Sequence, residues 1–111
     1  MPTPHQPSIA VRRTLRKLGS DIRDARRRRH LPADVVAERA LTSRPSLRRV
    51  EAGDHTVSIG IYAAVLQALG MLDGLSELAA PSSDEIGLAM VSDALPKRVH
   101  LKRVKEDTGR G

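Results

Sequence analysis

Between residues 31 and 53 the chain reads LPADVVAERALTSRPSLRRVEAG, and the placing of its apolar residues leaves few folds open. Val36, Ala37 and Ala40 recur with helical spacing, the run Leu41-Thr42-Ser43 breaks the pattern, Leu47 and Val50 resume it, and Gly53 stops it. That punctuation spells two short helices joined by a tight turn. Such a pair must pack its two apolar faces on a third helix, which leaves the start of the second helix free. Ser43 is the expected N-cap of that second helix, about residues 44–52, and Pro45 is tolerated in its first turn.

The flanking sequence supplies the remaining elements. Pro2, Pro4 and Pro7 keep residues 1–7 out of a helix, which predicts a flexible arm. Ser8 caps a helix running to about residue 29, with Val11, Leu15, Leu18, Ile22 and Ala25 as one apolar stripe and Gly19 as a weak point inside it. Pro32 suits the first turn of a helix over about 32–40. Residues 54–57 read as a loop, and Ser58 as the cap of a fourth helix marked by Tyr62, Val65, Leu66 and Leu69 and ended by Gly70. A short fifth helix covers about 72–78, before Pro81. Residues 84–95 read either as a short amphipathic helix with Ile86, Met90 and Val91 on one side or as partly disordered.

Nothing before Pro81 reads as a strand. Val99 and Leu101 alternate at period two and Val104 falls out of step, so a short strand there is weakly signalled. If it forms, it pairs with its copy in a second subunit or with another protein. The expected fold is all-α, five helices with a C-terminal tail. Residues 1–7 are the arm, 8–80 the helical domain that carries the two-helix unit, and 81–111 a dimerisation or partner-binding tail, partly disordered.

Composition narrows the function. A chain of 111 residues is one domain with tails and a modest core. It has no Cys, Trp or Phe, and Tyr62 is its one aromatic residue, so Leu, Val, Ile, Ala and Met must build that core. Without Cys no disulfide framework exists, which fits a reducing cytoplasm. No apolar run approaches the roughly 18 residues of a membrane span, and the N-terminus lacks a signal-type hydrophobic region. The expected location is the cytoplasm, away from membranes. His5, His30, His55 and His100 are scattered without metal-site spacing, and neither a cysteine nucleophile nor a glycine-rich phosphate cradle is present. No metal, cofactor or enzymatic activity is expected.

The net charge of +6 is divided sharply along the chain. Residues 1–53 carry thirteen Lys and Arg against five Asp and Glu, or +8; residues 54–95 carry six acids and no Lys or Arg, or −6; the last sixteen residues return to +4. This segregation points to two working surfaces, a basic one for a polyanion and an acidic one for something else.

From about residue 18 to 78, and most specifically in SRPSLRRVEAG, the chain resembles the Cro/C1-type, or XRE-type, helix-turn-helix regulators, whose fold is lambda-repressor-like. The resemblance implies that Ala37 sits where the second and third helices cross and that Leu47 and Val50 seat the recognition helix. It implies a partly buried structural ion pair between Arg26 and Glu51, and base-edge readers at Arg44, Pro45, Ser46, Arg48 and Arg49. Arginine can donate two hydrogen bonds to O6 and N7 of guanine, which suits Arg44 and Arg49. Arg48 lies roughly a hundred degrees from Arg49 around the helix and suits a phosphate. Pro45 offers only shape or contact with a thymine methyl. Ser43, Thr42 and the amides at the helix start can hold phosphate, and His55, in the following loop, is a further phosphate neighbour. Many members of that family carry a glutamine near the start of helix two that supports the first recognition residue; here Ala33 stands in its place. Arg27, Arg28 and Arg29 fall to phosphate contacts or solvated surface.

The stretch from 71 to 104, with ELAAPSSDEIGLA followed by LPKRV, is similar to HipB-like antitoxins of type II toxin-antitoxin systems. The resemblance implies a dimer that represses its own operon at a palindromic operator and binds and neutralises a HipA-like serine/threonine kinase toxin. The alternatives are a stand-alone Cro/C1-type repressor with no toxin partner, and a helix-turn-helix used only to bind protein, against which the basic recognition helix argues. A dimer reads two half-sites about 34 Å apart. Its candidate surface comprises Ile61, Ala64, Met71, Leu72 and Leu75 with Val99 to Val104, unless these fill the chain's own core.

Overall fold

The structure, a computed structural model, describes residues 6–94. Pro2, Pro4, His5, His100 and the stretch from Val99 to Val104 lie outside the described residues.

Serine caps set the helix starts. Ser8, Ser43 and Ser58 stand in extended backbone, and each hydroxyl accepts a hydrogen bond from the backbone N–H three residues on, at 3.2, 3.1 and 3.3 Å. Each thereby satisfies a donor that a helix leaves without an internal partner in its first turn. They open α1 (Ile9–Arg28), α3 (Arg44–Glu51) and α4 (Ile59–Ala68), while α2 (Ala33–Arg39) begins after Pro32 and α5 is Leu72–Ser76. Pro32 is the residue before the helix rather than its first turn; its fixed φ of −64° and extended ψ lead the chain into α2. The fifth helix ends two residues short of expectation: Gly74 weakens it, and Leu78 is exposed.

Residues up to Leu75 form one unit, and the chain from Ser76 a second. In the first, α1 packs on α3, and α2, α3 and α4 pack on one another. Ile22 and Ala25 of α1, Val36 and Ala37 of α2 with Ala40, Leu47 and Val50 of α3, and Tyr62, Val65 and Leu66 of α4 with Leu69 make one buried cluster. Tyr62 is the only ring in it; its hydroxyl donates to the Asp54 carbonyl at 2.8 Å, so the polar end of the side chain is satisfied. Burial, aided by the Asp54 charge, pushes its phenol above the ordinary value. Asp54 in turn accepts from both Oγ1 and N of Thr56, which holds its carboxyl below the ordinary value and folds the loop after α3.

Two expectations change. Gly19 is buried at a crossing: a Cβ there would stand 2.6 Å from the Val50 carbonyl and 2.7 Å from that of Glu51, so the glycine lets α1 lie directly on the end of α3. Gly53 completes the crossing. With φ +72° it turns the chain after α3, and a Cβ on it would run into the Leu15 carbonyl of α1. The stripe of α1 is buried only at its C-terminal end: Ile22 and Ala25 are enclosed, Leu18 packs against the core from its edge, and Val11 is 46% exposed. Ile61, Ala64 and Leu75 are partly buried against the chain's own core, and Met71 is exposed.

Two turns use the left-handed region without glycine. His30 (φ 54°) ends α1, and Leu41 (φ 56°), 93% exposed, makes the turn between α2 and α3. In the second unit a turn of 3-10 helix at Pro81–Ser83 leads to α6 (Glu85–Ala94), whose start is tied by the Asp84 carboxylate accepting from the Gly87 N–H. Ile86, Leu88, Met90 and Val91 of α6 are exposed. Among the described residues there is no strand, and no helix is long and apolar enough to cross a membrane.

Candidate nucleic-acid interface

The recognition segment is divided by its own periodicity. Leu47 and Val50 are fully buried under α3, and Arg44, Pro45, Arg48 and Arg49 are exposed on its other faces. A helix of eight residues with apolar side chains at two positions one turn apart can seat in only one rotation. Ser46 is half-buried at the start of the helix, where its N–H and hydroxyl are engaged with the Ser43 hydroxyl. Thr42 is half-buried in the turn, its N–H donating to the Ala37 carbonyl at 2.9 Å. His55 is exposed in the loop after α3.

What fixes α3 from behind is Arg26. Its Nε donates to Glu51 Oε2 at 2.7 Å, its Nη2 to Oε1 at 3.1 Å, and its Nη1 to the Leu31 carbonyl at 3.1 Å. The fork therefore joins α1, the α1–α2 turn and the last residue of α3. Its side chain is 16% exposed and that of Glu51 11%, so most of the pair is shielded from water. The other arginines at the end of α1 divide. Arg27 and Arg28 are exposed, whereas Arg29 turns back to donate to the Ala25 carbonyl at 2.9 Å, a cation closing its own helix terminus.

An open cleft of about 410 Å³ lies between α1, α2 and α3, with Arg23, Arg26, Arg44 and Arg48 around it and Ala33 in its wall. Two of these four cations are already neutralised. Arg26 has Glu51, and Arg44 Nε lies 2.9 Å from Asp34 Oδ1 of α2. Arg23 and Arg48 make no ion pair among the described residues. Arg23 was open to sequence reasoning, since it stands three residues before Arg26 and so shares its side of α1. Asp34 carried no such signal: an acid in a first turn reads as a partner for the helix dipole, and its approach to Arg44 depends on the angle between two helices.

In chemical terms the face offers guanidinium forks, a cap serine and a proline at the exposed start of one helix, and further cations on its flank. That is a donor-rich surface, suited to phosphates and to the acceptor edge of guanine. No cluster of His, Cys, Asp and Glu able to hold a metal occurs among the described residues.

A family model described as a helix-turn-helix domain matches residues 17–79, more than half of the chain. No curated protein and no solved structure matches it.

Proposed function

The chain belongs to the helix-turn-helix domain family, and from that premise we propose that it is a sequence-specific DNA-binding regulator that represses its own operon as a dimer and neutralises a HipA-like serine/threonine kinase toxin. In this reading residues 8–80 bind the operator, and residues 81–111 serve dimerisation or the toxin.

The observation that carries the DNA reading is the division of α3, with Leu47 and Val50 buried and Arg44, Pro45, Arg48 and Arg49 exposed. The start of α3 enters the major groove; Arg44 and Arg49 each donate to O6 and N7 of a guanine, and Pro45 packs on a thymine methyl. Arg48 and Ser46 reach the backbone, and Ser43 and Thr42 line the phosphate side of the turn, with His55 beside it. Arg26 and Glu51 touch no DNA; they hold α3 at the angle that makes these contacts. The toxin reading is supported by the Lys- and Arg-free stretch 54–95, by the exposed Ile86, Leu88, Met90 and Val91 of α6, and by the likeness of residues 71–104 to HipB-like antitoxins.

Two measurements test this. Selection from a randomised duplex library is expected to return a palindrome with half-sites about 34 Å apart, and Arg44→Ala to lose the preferred base at one position per half-site, about 1–3 kcal/mol on the selected duplex. An unchanged preference removes Arg44 from base reading. Co-expression with a kinase encoded beside the gene is expected to give a stable complex and an inactive kinase. A kinase that neither binds nor loses activity leaves a stand-alone repressor.

A further inference from the structure

Of the four arginines around the cleft between α1, α2 and α3, two have no anion of their own. Glu51 neutralises Arg26 and Asp34 neutralises Arg44, while Arg23 and Arg48, both exposed, form no ion pair among the described residues. These two come from different helices, Arg23 from α1 and Arg48 from α3. The fork between Arg26 and Glu51 ties those helices together beside the cleft. Arg23 stands three residues before Arg26 and Arg48 three before Glu51, so each lies nearly one turn from the bonded pair, on the same side of its helix. Both line the opening of about 410 Å³, and the methyl of Ala33 in its wall leaves room between them.

We infer that Arg23 and Arg48 form a two-armed site for a single backbone phosphate of the duplex, one arm from each helix. The inference rests on the reading of α3 as the helix that enters the groove. A phosphodiester exposes two anionic oxygens, and each guanidinium can donate to one of them. Arg26 is not available for this, because its Nε, Nη1 and Nη2 already donate to Glu51 and the Leu31 carbonyl. Two unpaired cations on one cleft repel each other in the unbound protein, and an anion between them removes that repulsion. The arms therefore depend on each other. A lone exposed arginine loses the freedom of a long side chain when it orders against a phosphate; with only one arm the phosphate keeps its counterions. The site carries no sequence information, but it fixes α1 as well as α3 on the duplex.

Two other arrangements are chemically open: Arg23 as solvated surface, and two arginines on two separate phosphates. The slope of log K against log salt tells them apart, since it counts phosphates rather than arginines. It is measured by fluorescence anisotropy on a selected and a scrambled duplex, with a melting curve for each protein. The proteins are the full chain, Arg23→Ala, Arg48→Ala, the double variant, Arg23→Lys and Arg13→Ala.

Arg23→Ala is expected to weaken binding to both duplexes about threefold to tenfold near 0.1 M salt and to flatten the slope by about 1 for each copy bound. Arg48→Ala does the same, and the double variant flattens the slope no further than either single change, because one phosphate is lost in all three. Arg23→Lys keeps a cation there and is expected to keep the slope. Arg13→Ala, on α1 but not at the cleft, leaves it unaltered.

A double variant that flattens the slope by about 2 for each copy places the arms on separate phosphates and overturns the shared site. If Arg23→Ala keeps the parent slope while Arg48→Ala loses it, Arg23 does not touch DNA; the inference falls and the reading of α3 stands. A loss in Arg23→Ala that follows a lower melting temperature and persists in Arg23→Lys assigns Arg23 to the scaffold and also overturns it. If neither alanine variant moves the slope, the placing of α3 fails first and takes the inference with it.

Discussion

Arg26 and Arg44 show how burial separates two ion pairs of nearly equal length. Arg26 meets Glu51 at 2.7 Å with side chains 16% and 11% exposed; Arg44 meets Asp34 at 2.9 Å with 61% and 68%. In the first pair, loss of the carboxylate leaves a mostly desolvated guanidinium with only the Leu31 carbonyl. The charge is then poorly paired where water cannot replace its partner. Glu51→Ala is expected to destabilise the fold by about 3 kcal/mol, read as a lower urea midpoint at unchanged slope. Asp34→Asn, whose partner is open to water, is expected to stay within about 0.5 kcal/mol of the parent. Equal losses in the two variants would mean that burial does not set the difference between the pairs.

The packing of α1 on α3 depends on absent side chains as much as on present ones. In an isolated helix Gly19 is a liability, and alanine there is worth about 1 kcal/mol. At this crossing an added Cβ meets Gly53 N at 2.5 Å, Val50 O at 2.6 Å and Glu51 O at 2.7 Å, all backbone atoms that no rotamer change can move aside. Gly19→Ala is therefore expected to destabilise by about 2 kcal/mol despite its better helix propensity, whereas a weak point in the helix predicts a gain. A urea titration that shows a gain would reject the crossing as tight. This residue also marks where the sequence stops being legible. Helix starts were readable because Ser8, Ser43 and Ser58 signal locally, and the buried faces of α3 and α4 because Leu47, Val50, Tyr62 and Val65 repeat with the helix. The arginines at the start of α3 were visible for the same reason. Gly19, the overhang of α1 at Val11, the fate of Ile61 and the Asp34–Arg44 pair all depend on what a second helix brings to the spot, and no spacing along one chain contains that.

Along the whole chain, α1, α2 and α3 belong to the stretch of +8, while α4, α5 and α6 fall in the stretch of −6. For a polyanion the sum of +6 matters less than this division, because affinity follows the number of phosphates neutralised at the contact face and acids distant from it are screened within about 8–10 Å at physiological salt. Each phosphate engaged contributes about −0.9 to the slope of log K against log salt. Arg48 is exposed on the flank of α3 and makes no ion pair among the described residues, which makes it the cleanest single probe. Arg48→Ala is expected to weaken binding to all duplexes alike and to flatten the slope by about 1 for each copy bound. A dimer with one Arg48 on each half-site then changes by about 2 and a monomer by about 1. Glu77→Gln, a change of the same size in the acidic stretch, is expected to leave the slope as it was. If Arg48→Ala alters base preference instead of slope, Arg48 belongs with the base readers, and the flank of α3 rather than its tip faces the floor of the groove.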